Sequence, residues 1–492
     1  MTKVRQHCTC WPVSVASAVS VASAVLAIAL AWSHQTAGAV ENIASTPDLR
    51  DELLSHPVSP ALGGDTSLAI SGERAFRSIA PNAGGMNVAR FTFGQQLFDT
   101  VWEPAPGSQL TTDGLGPLFN SESCSDCHLG NGRGRPPESS DGPMGSMLVR
   151  ISIAGAGEHG ESLAVPGYGD QLQDRGVNRV PAEGRALISY AEQSGEYADG
   201  TGYSLLSPSL QFTELAYGEL PVGILTSVRV ASPVIGLGLL ESVPEATLRG
   251  LMDPDDVDGD GISGRINVVW AADQKKSAIG RFGWKANAPT LRHQNAAAAL
   301  GDMGITSPVF PEDQCMPSQE ACIIEAVKVA DPPELVQPFF DPLLTYTRLI
   351  AVPQQRGADA EAVKSGAAAF RSIGCASCHM PTLITGPSDI AVLANQVIHP
   401  YTDLLLHDMG DGLADGRPDF EASGREWRTP PLWGVGLTEA VGGFARFLHD
   451  GRARSLDEAI LWHGGEAEAA KQAFIRFDQQ QRADLLAFLN SL

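Results

Sequence analysis

The chain is poor in aromatic residues, 7% of its 492, and poor in positive charge. Its 34 Lys and Arg stand against 57 Asp and Glu, a formal net charge of −23. That deficit excludes the basic surface that holds nucleic acid or anionic lipid, and it suits a basic or weakly charged protein partner. Few aromatics together with 52 Gly and 33 Pro point to extensive loop. The length argues for two domains rather than one core.

Long apolar runs are also lacking, with one exception. After Lys3, Arg5 and His7 comes "VSVASAVSVASAVLAIALAW", and "AGA" follows at Ala37 to Ala39. A basic start, an apolar middle and an A-x-A site describe a signal peptide over residues 1–39. Residues 40–84 then form an N-terminal extension. The competing reading is an uncleaved membrane anchor, since the run is long enough to span a bilayer. Both readings carry the rest of the chain out of the cytoplasm, and periplasm is the expected location.

Cysteine is scarce too, eight in all. Cys8 and Cys10 belong to the export segment. The remaining six form three close pairs. Cys315 and Cys322, in "DQCMPSQEAC", have no histidine nearby, and in an oxidising compartment they read as a disulfide. Two free buried thiols are the alternative.

The other two pairs stand in "SCSDCHLGNGRG" and "GCASCHMPT". Both contain C-x-x-C-H, the spacing of covalent haem attachment. The thiols add to the two vinyl groups of one porphyrin, and the adjoining imidazole becomes an axial ligand. Cys124, Cys127 and His128 would hold one haem c; Cys375, Cys378 and His379 would hold a second. A thioredoxin-type pair needs a βαβ setting that is missing here. A zinc site needs four converging ligands.

An internal echo suggests duplication. "RVASPVIGLGLLESV" and "RTPPLWGVGLTEAV" pair Pro233, Gly236, Gly238, Leu239, Glu241 and Val243 with Pro431, Gly434, Gly436, Leu437, Glu439 and Val441. Helical runs precede the second attachment loop, "DAEAVKSGAAAFRSIG", and close the chain, "DQQQRADLLAFLNSL". The expected architecture is mainly α: two cytochrome c-like haem domains with long loops and a few short strands. The first covers 85–345 with a long insertion, the second 346–492.

"ESCSDCHLGNGRGRPP", "GRFGWKANAPTLRHQ", "LLLHDMGDGLADGRPDF", "GREWRTPPLWGVG" and "FLHDGRARSLDEAILWHGGEA" resemble the bacterial di-haem oxidoreductase family, related to the dihaem cytochrome c peroxidases. The resemblance implies a periplasmic redox protein in which one haem meets hydrogen peroxide and the other relays electrons from a redox partner protein. In the peroxidases, a segment matching His449, Asp450, Gly451 and "LDEAI" leads to a methionine that binds the second iron. Here that position is His463, so His379 and His463 become the two axial ligands, with Met409 or His407 as competitors. The helix before it, "SLDEAILW", is capped by Ser455, with Glu458 completing a capping box.

Other candidates rest on chemistry alone. Met144, Met147 and His159 are within sequence reach of the first iron. Glu241 is the proton-transfer candidate. Arg133 and Arg135 suit haem propionates. Trp284 or Trp427 could pass electrons between the haems. Asp256, Asp258 and Asp260 alternate before Gly261, as in a looser calcium loop without the closing glutamate of an EF-hand, or in a solvated acidic turn. Two further functions compete with peroxide reduction: a pure electron carrier with both irons six-coordinate, and an oxidase acting on a protein substrate.

Overall fold

The computed structural model describes residues 47–492 except 110, 138, 140, 141, 143 and 328–332. The signal peptide expected over 1–39, with Cys8 and Cys10, lies outside the described residues. Among the described residues no helix is long and apolar enough to cross a membrane.

The helices that frame the two attachment loops are α1 (Met86–Asp99), α2 (Leu237–Glu241), α3 (Leu291–Met303), α4 (Glu320–Ala326), α5 (Gln337–Leu349), α6 (Glu361–Ser372), α7 (Leu456–Trp462) and α8 (Gln479–Ser491). Helix α6 buries Val363, Gly366 and Phe370, which recur on one face. Helix α8 starts at a reciprocal cap: Asp478 accepts from the Gln481 N–H, and the Gln481 side chain accepts from the Asp478 N–H. Ser455 caps α7, but Glu458 reaches past it to the Arg454 N–H and guanidinium, so the box closes one residue early.

The two halves of the chain use the same contact. A Cβ on Gly94 of α1 would meet the Pro342 carbonyl oxygen of α5 at 2.0 Å, and one on Gly366 of α6 would meet the Asp484 oxygen of α8 at 1.9 Å. The echoed glycines repeat the pattern, with Gly238 pressed on the Arg348 oxygen at 2.3 Å and Gly436 on the Asn490 oxygen at 2.2 Å. Only a hydrogen fits where backbones approach this closely. Gly366→Ala is therefore expected to lower stability by about 1–3 kcal/mol, read as a lower thermal midpoint. An unchanged midpoint would mean that the α6–α8 crossing opens freely.

The mainly α, cytochrome c-like expectation is corrected: the chain is 32% helix and 19% strand, with many small sheets. Strand β1 (Met147–Ala156) pairs antiparallel with β4 (Leu225–Val230). Between them β2 (Arg185–Glu196) and β3 (Gly202–Thr213) form one long hairpin in unbroken register from Arg185–Thr213 to Glu196–Gly202. Short antiparallel pairs follow: β5 (Val268–Ala271) with β6 (Lys276–Ile279), and β7 (Leu406–Asp408) with β8 (Glu426–Arg428). The physical reason is side-chain alternation. Met147, Val149 and Ile151 point inward along β1, as do Ala186 and Ile188 along β2, and a period of two cannot cover a helix face. At the hairpin tip Asp199 accepts from Arg482 of α8 at 2.7 Å, and the same guanidinium lies 4.0 Å over the Tyr197 ring. The hairpin thereby clasps the last helix. One buried apolar cluster extends from Leu53 to Leu492.

Cys315 and Cys322 are joined as a disulfide at the start of α4. Together with Glu183 they line a small cavity of about 20 Å³. Glu183 accepts from the Gln173 N–H at 2.8 Å and from the Gln319 amide at 2.6 Å. Burial pushes this carboxyl up to about 8, from an ordinary 4.5. The unfolded chain ionises near 4.5 and the folded chain near 8, so stability present below pH 4.5 is lost as pH rises through 8. The slope is at most roughly 1.4 kcal/mol per pH unit. The thermal midpoint should fall between about pH 5 and pH 8, and Glu183→Gln should flatten that fall. A variant with the wild-type slope would assign the pH dependence elsewhere.

Candidate haem sites

Ser123 caps a single helical turn, Cys124–Cys127, by accepting from the Asp126 N–H at 3.1 Å. The turn brings Cys124, Cys127 and His128 to the wall of a cavity of about 300 Å³. His128 Nδ1 donates to the Ser232 carbonyl at 2.7 Å. Burial holds this imidazole down at about 4, so it is neutral at pH 7 with the Nε2 lone pair uncommitted. Burial also pushes the Cys124 and Cys127 thiols up to about 12. A redox-active pair or a zinc ligand needs accessible thiolates, and thiols this weakly acidic are poor sources of them.

Arg133, Arg150, Arg229, Arg281 and Arg428 line the same cavity. Arg281 and Arg428 are tied to backbone carbonyls. Arg133 Nε, Arg150 Nε and Arg229 Nη2 are buried with no hydrogen-bond partner among the described residues. Buried guanidinium N–H groups require acceptors, and two porphyrin propionates are acceptors of the right charge and planarity. The residues present therefore fit a haem. Arg135 is not in this wall; it lies 4.9 Å over the Phe444 ring.

The second signature is built alike. His379 Nδ1 donates to the Tyr401 carbonyl at 3.0 Å. Burial, and next the nearby His463, hold its imidazole down at about 4. His463 follows α7 directly, and its Nδ1 donates to the Ala459 carbonyl at 2.7 Å, closing the helix end on its own side chain. Burial lowers its basicity as well. His463 is thus near enough to lower the basicity of His379, and each ring has Nδ1 engaged and Nε2 left over. His407 cannot compete as a ligand, because Glu466 takes its Nδ1 at 2.6 Å and Asp403 its Nε2 at 2.8 Å. Met409 packs half-buried on the core at the N-terminus of the turn Gly410–Leu413.

Residues 58–492 match the family described as "di-haem oxidoreductase, putative peroxidase". The chain belongs to the di-haem oxidoreductase family. No curated protein and no solved structure matches it. Membership makes haem the cofactor of this oxidoreductase, in accord with the two constellations above.

Several sequence candidates are placed away from the cavity of this di-haem oxidoreductase. Glu241 ends α2 with both oxygens committed, one accepting from the Leu291 N–H at 2.8 Å and the other from Arg348 Nε at 2.6 Å. It caps α3 and pairs with α5 instead of facing the cavity. Met144 and Met147 are core residues outside the cavity wall. His159 stacks on Trp270 at 3.8 Å. In the acidic loop, Asp253 joins Asp256 and Asp258, with ligand atoms within 4.8 Å of one another, while Asp260 is outside the trio and caps Ile262.

Both tryptophans sit between the attachment loops. Trp284 lines the first cavity and donates to the Val230 carbonyl at 2.8 Å. Its ring is 6.5 Å from that of His449, which stacks on Trp427 at 3.7 Å. Trp427 stands opposite His407 in the β7–β8 pair, and His407 Nδ1 is 3.6 Å from Cys378 Sγ. His449 was read from the sequence only as part of a matching segment, and Arg150, Arg229, Arg281, Arg428 and His293 of the cavity wall were missed. They are spread from 150 to 428 with no common spacing, and only folding brings them together.

Proposed function

We propose that this di-haem oxidoreductase is an exported, periplasmic peroxide reductase with two covalently attached haem c groups. The single observation that carries the reading is the asymmetry of the two sites. His379 has a second, half-buried imidazole, His463, near enough to lower its basicity, whereas His128 faces a cavity of about 300 Å³. A haem held by His128 supplies an iron at which a peroxide O–O bond can be reduced, and one held between His379 and His463 supplies and stores electrons. His128 and His379 donate through Nδ1 to backbone carbonyls, which fixes ring orientation and raises ligand basicity. The buried arginines neutralise propionate charge. The row Trp284, His449 and Trp427 spans the gap for electrons. The acidic chain suits a basic or weakly charged redox protein as donor.

The test is an EPR and visible spectrum of the purified protein with and without hydrogen peroxide. One high-spin iron that reacts with peroxide, beside one low-spin iron, is the expected result. Two low-spin irons that remain inert after one-electron reduction would overturn it and leave a pure electron carrier.

A further inference from the structure

The wall of the first cavity contains one titratable side chain that nothing else in the structure employs. Thr290 caps α3 by accepting from the His293 N–H at 3.1 Å, which puts His293 in the first turn. Ala297 follows one turn later on the same face. His293, Ala297 and Ala298 all line the cavity with Cys124, Cys127 and His128. The alanines leave space, and the imidazole is the reactive group beside it. His293 is 8% exposed and packs edge-on against Phe310, ring centroids 5.2 Å apart. Its Nδ1 is sealed without a hydrogen-bond partner among the described residues, which leaves Nε2 as the polar atom for the cavity. Buried imidazoles are ordinarily bonded; this one is unbonded where the proposed reaction needs a proton carrier. The other acid–base group of the wall, Asp302, has a partner for one oxygen, Oδ1 accepting from the Gln171 amide at 3.0 Å.

We infer that His293 moves the peroxide proton at the first site, an inference that rests on the peroxide reading above. Nε2 takes the proton of the oxygen that approaches the iron and returns it to the outer oxygen. The outer oxygen leaves as water when the O–O bond breaks. Two electrons from the donor protein and two protons from solvent convert the remaining oxygen to a second water. Thr290 and Phe310 fix the ring, and the unbonded Nε2 keeps it available.

Stopped-flow association of peroxide and of cyanide with the holoprotein tests this, because hydrogen cyanide must also lose a proton to bind iron as cyanide. In His293→Gln both rates should fall at least roughly 100-fold, with haem content, spin state and thermal midpoint at wild-type values. His293→Ala should slow both rates equally. Unchanged rates in both variants would overturn the inference and leave a packing residue against Phe310. Loss of a low-spin signal would also overturn it, making His293 an axial ligand. If wild-type protein ignores peroxide while His293→Gln still slows cyanide, the peroxide reading fails and the proton role of His293 stands.

Discussion

Replacing His463 by Ala should turn the low-spin signal of the second haem high-spin, and replacing it by Met should keep that haem low-spin at a higher midpoint potential. His463 is the first residue after α7, and its Nδ1 bonds the Ala459 carbonyl one turn back. That bond uses one ring nitrogen and leaves the other available. Burial keeps the ring neutral, as a ligand must be. His379 is held in the mirror fashion by Tyr401, and the two rings are near enough to depress its basicity. A thioether ligand raises haem potential relative to imidazole, within the ~0.8 V span that axial ligands command. EPR and potentiometric titration check both variants. An unchanged spectrum in His463→Ala would refute the ligand role, and loss of the low-spin signal in Met409→Leu would reassign it.

Asp419→Ala should cost about 3–5 kcal/mol of stability. Asp419 is one of the most enclosed charges in the molecule, with Arg229 at 3.1 Å and Arg417 at 3.5 Å, all three side chains at most 7% exposed. Burial alone would raise its pKa, but Arg229, Arg417 and Arg150 together hold it below the ordinary carboxylate range. Removing it leaves two guanidinium groups buried and unpaired. Arg229 also lines the first cavity, so the same change loosens a group proposed to meet a propionate. The thermal midpoint of the holoprotein and its haem content are the measurements. A wild-type midpoint would show that Arg229 and Arg417 reach water or another acceptor without Asp419.

How much was readable in advance differed by kind of feature. The C-x-x-C-H spacings are local: a thiol pair and an imidazole within five residues need no tertiary information, and the family they pointed to is the one the chain belongs to. The pairing of Gly238 with Gly436 was also visible, although its meaning, backbone packed against Arg348 and Asn490, was not. The mainly α expectation rested on the helical runs over 359–374 and 478–492, whereas the alternation in 147–230 builds strands. The placement of Glu241 was hidden for a related reason. A glutamate in a repeated segment carries no sign of whether its oxygens meet a cavity or, as here, a helix N-terminus and Arg348.

By itself the sequence determined two C-x-x-C-H signatures, an acidic net charge and the di-haem oxidoreductase family, because spacing, family motifs and net charge are written in contiguous residues or in sums over them. Tertiary structure decided the rest. It engaged both nitrogens of His407 with Asp403 and Glu466, set His463 near His379, and drew Arg133, Arg150, Arg229 and His293 into one wall. Those outcomes depend on which polar groups burial leaves without a partner, and only the packed chain settles that.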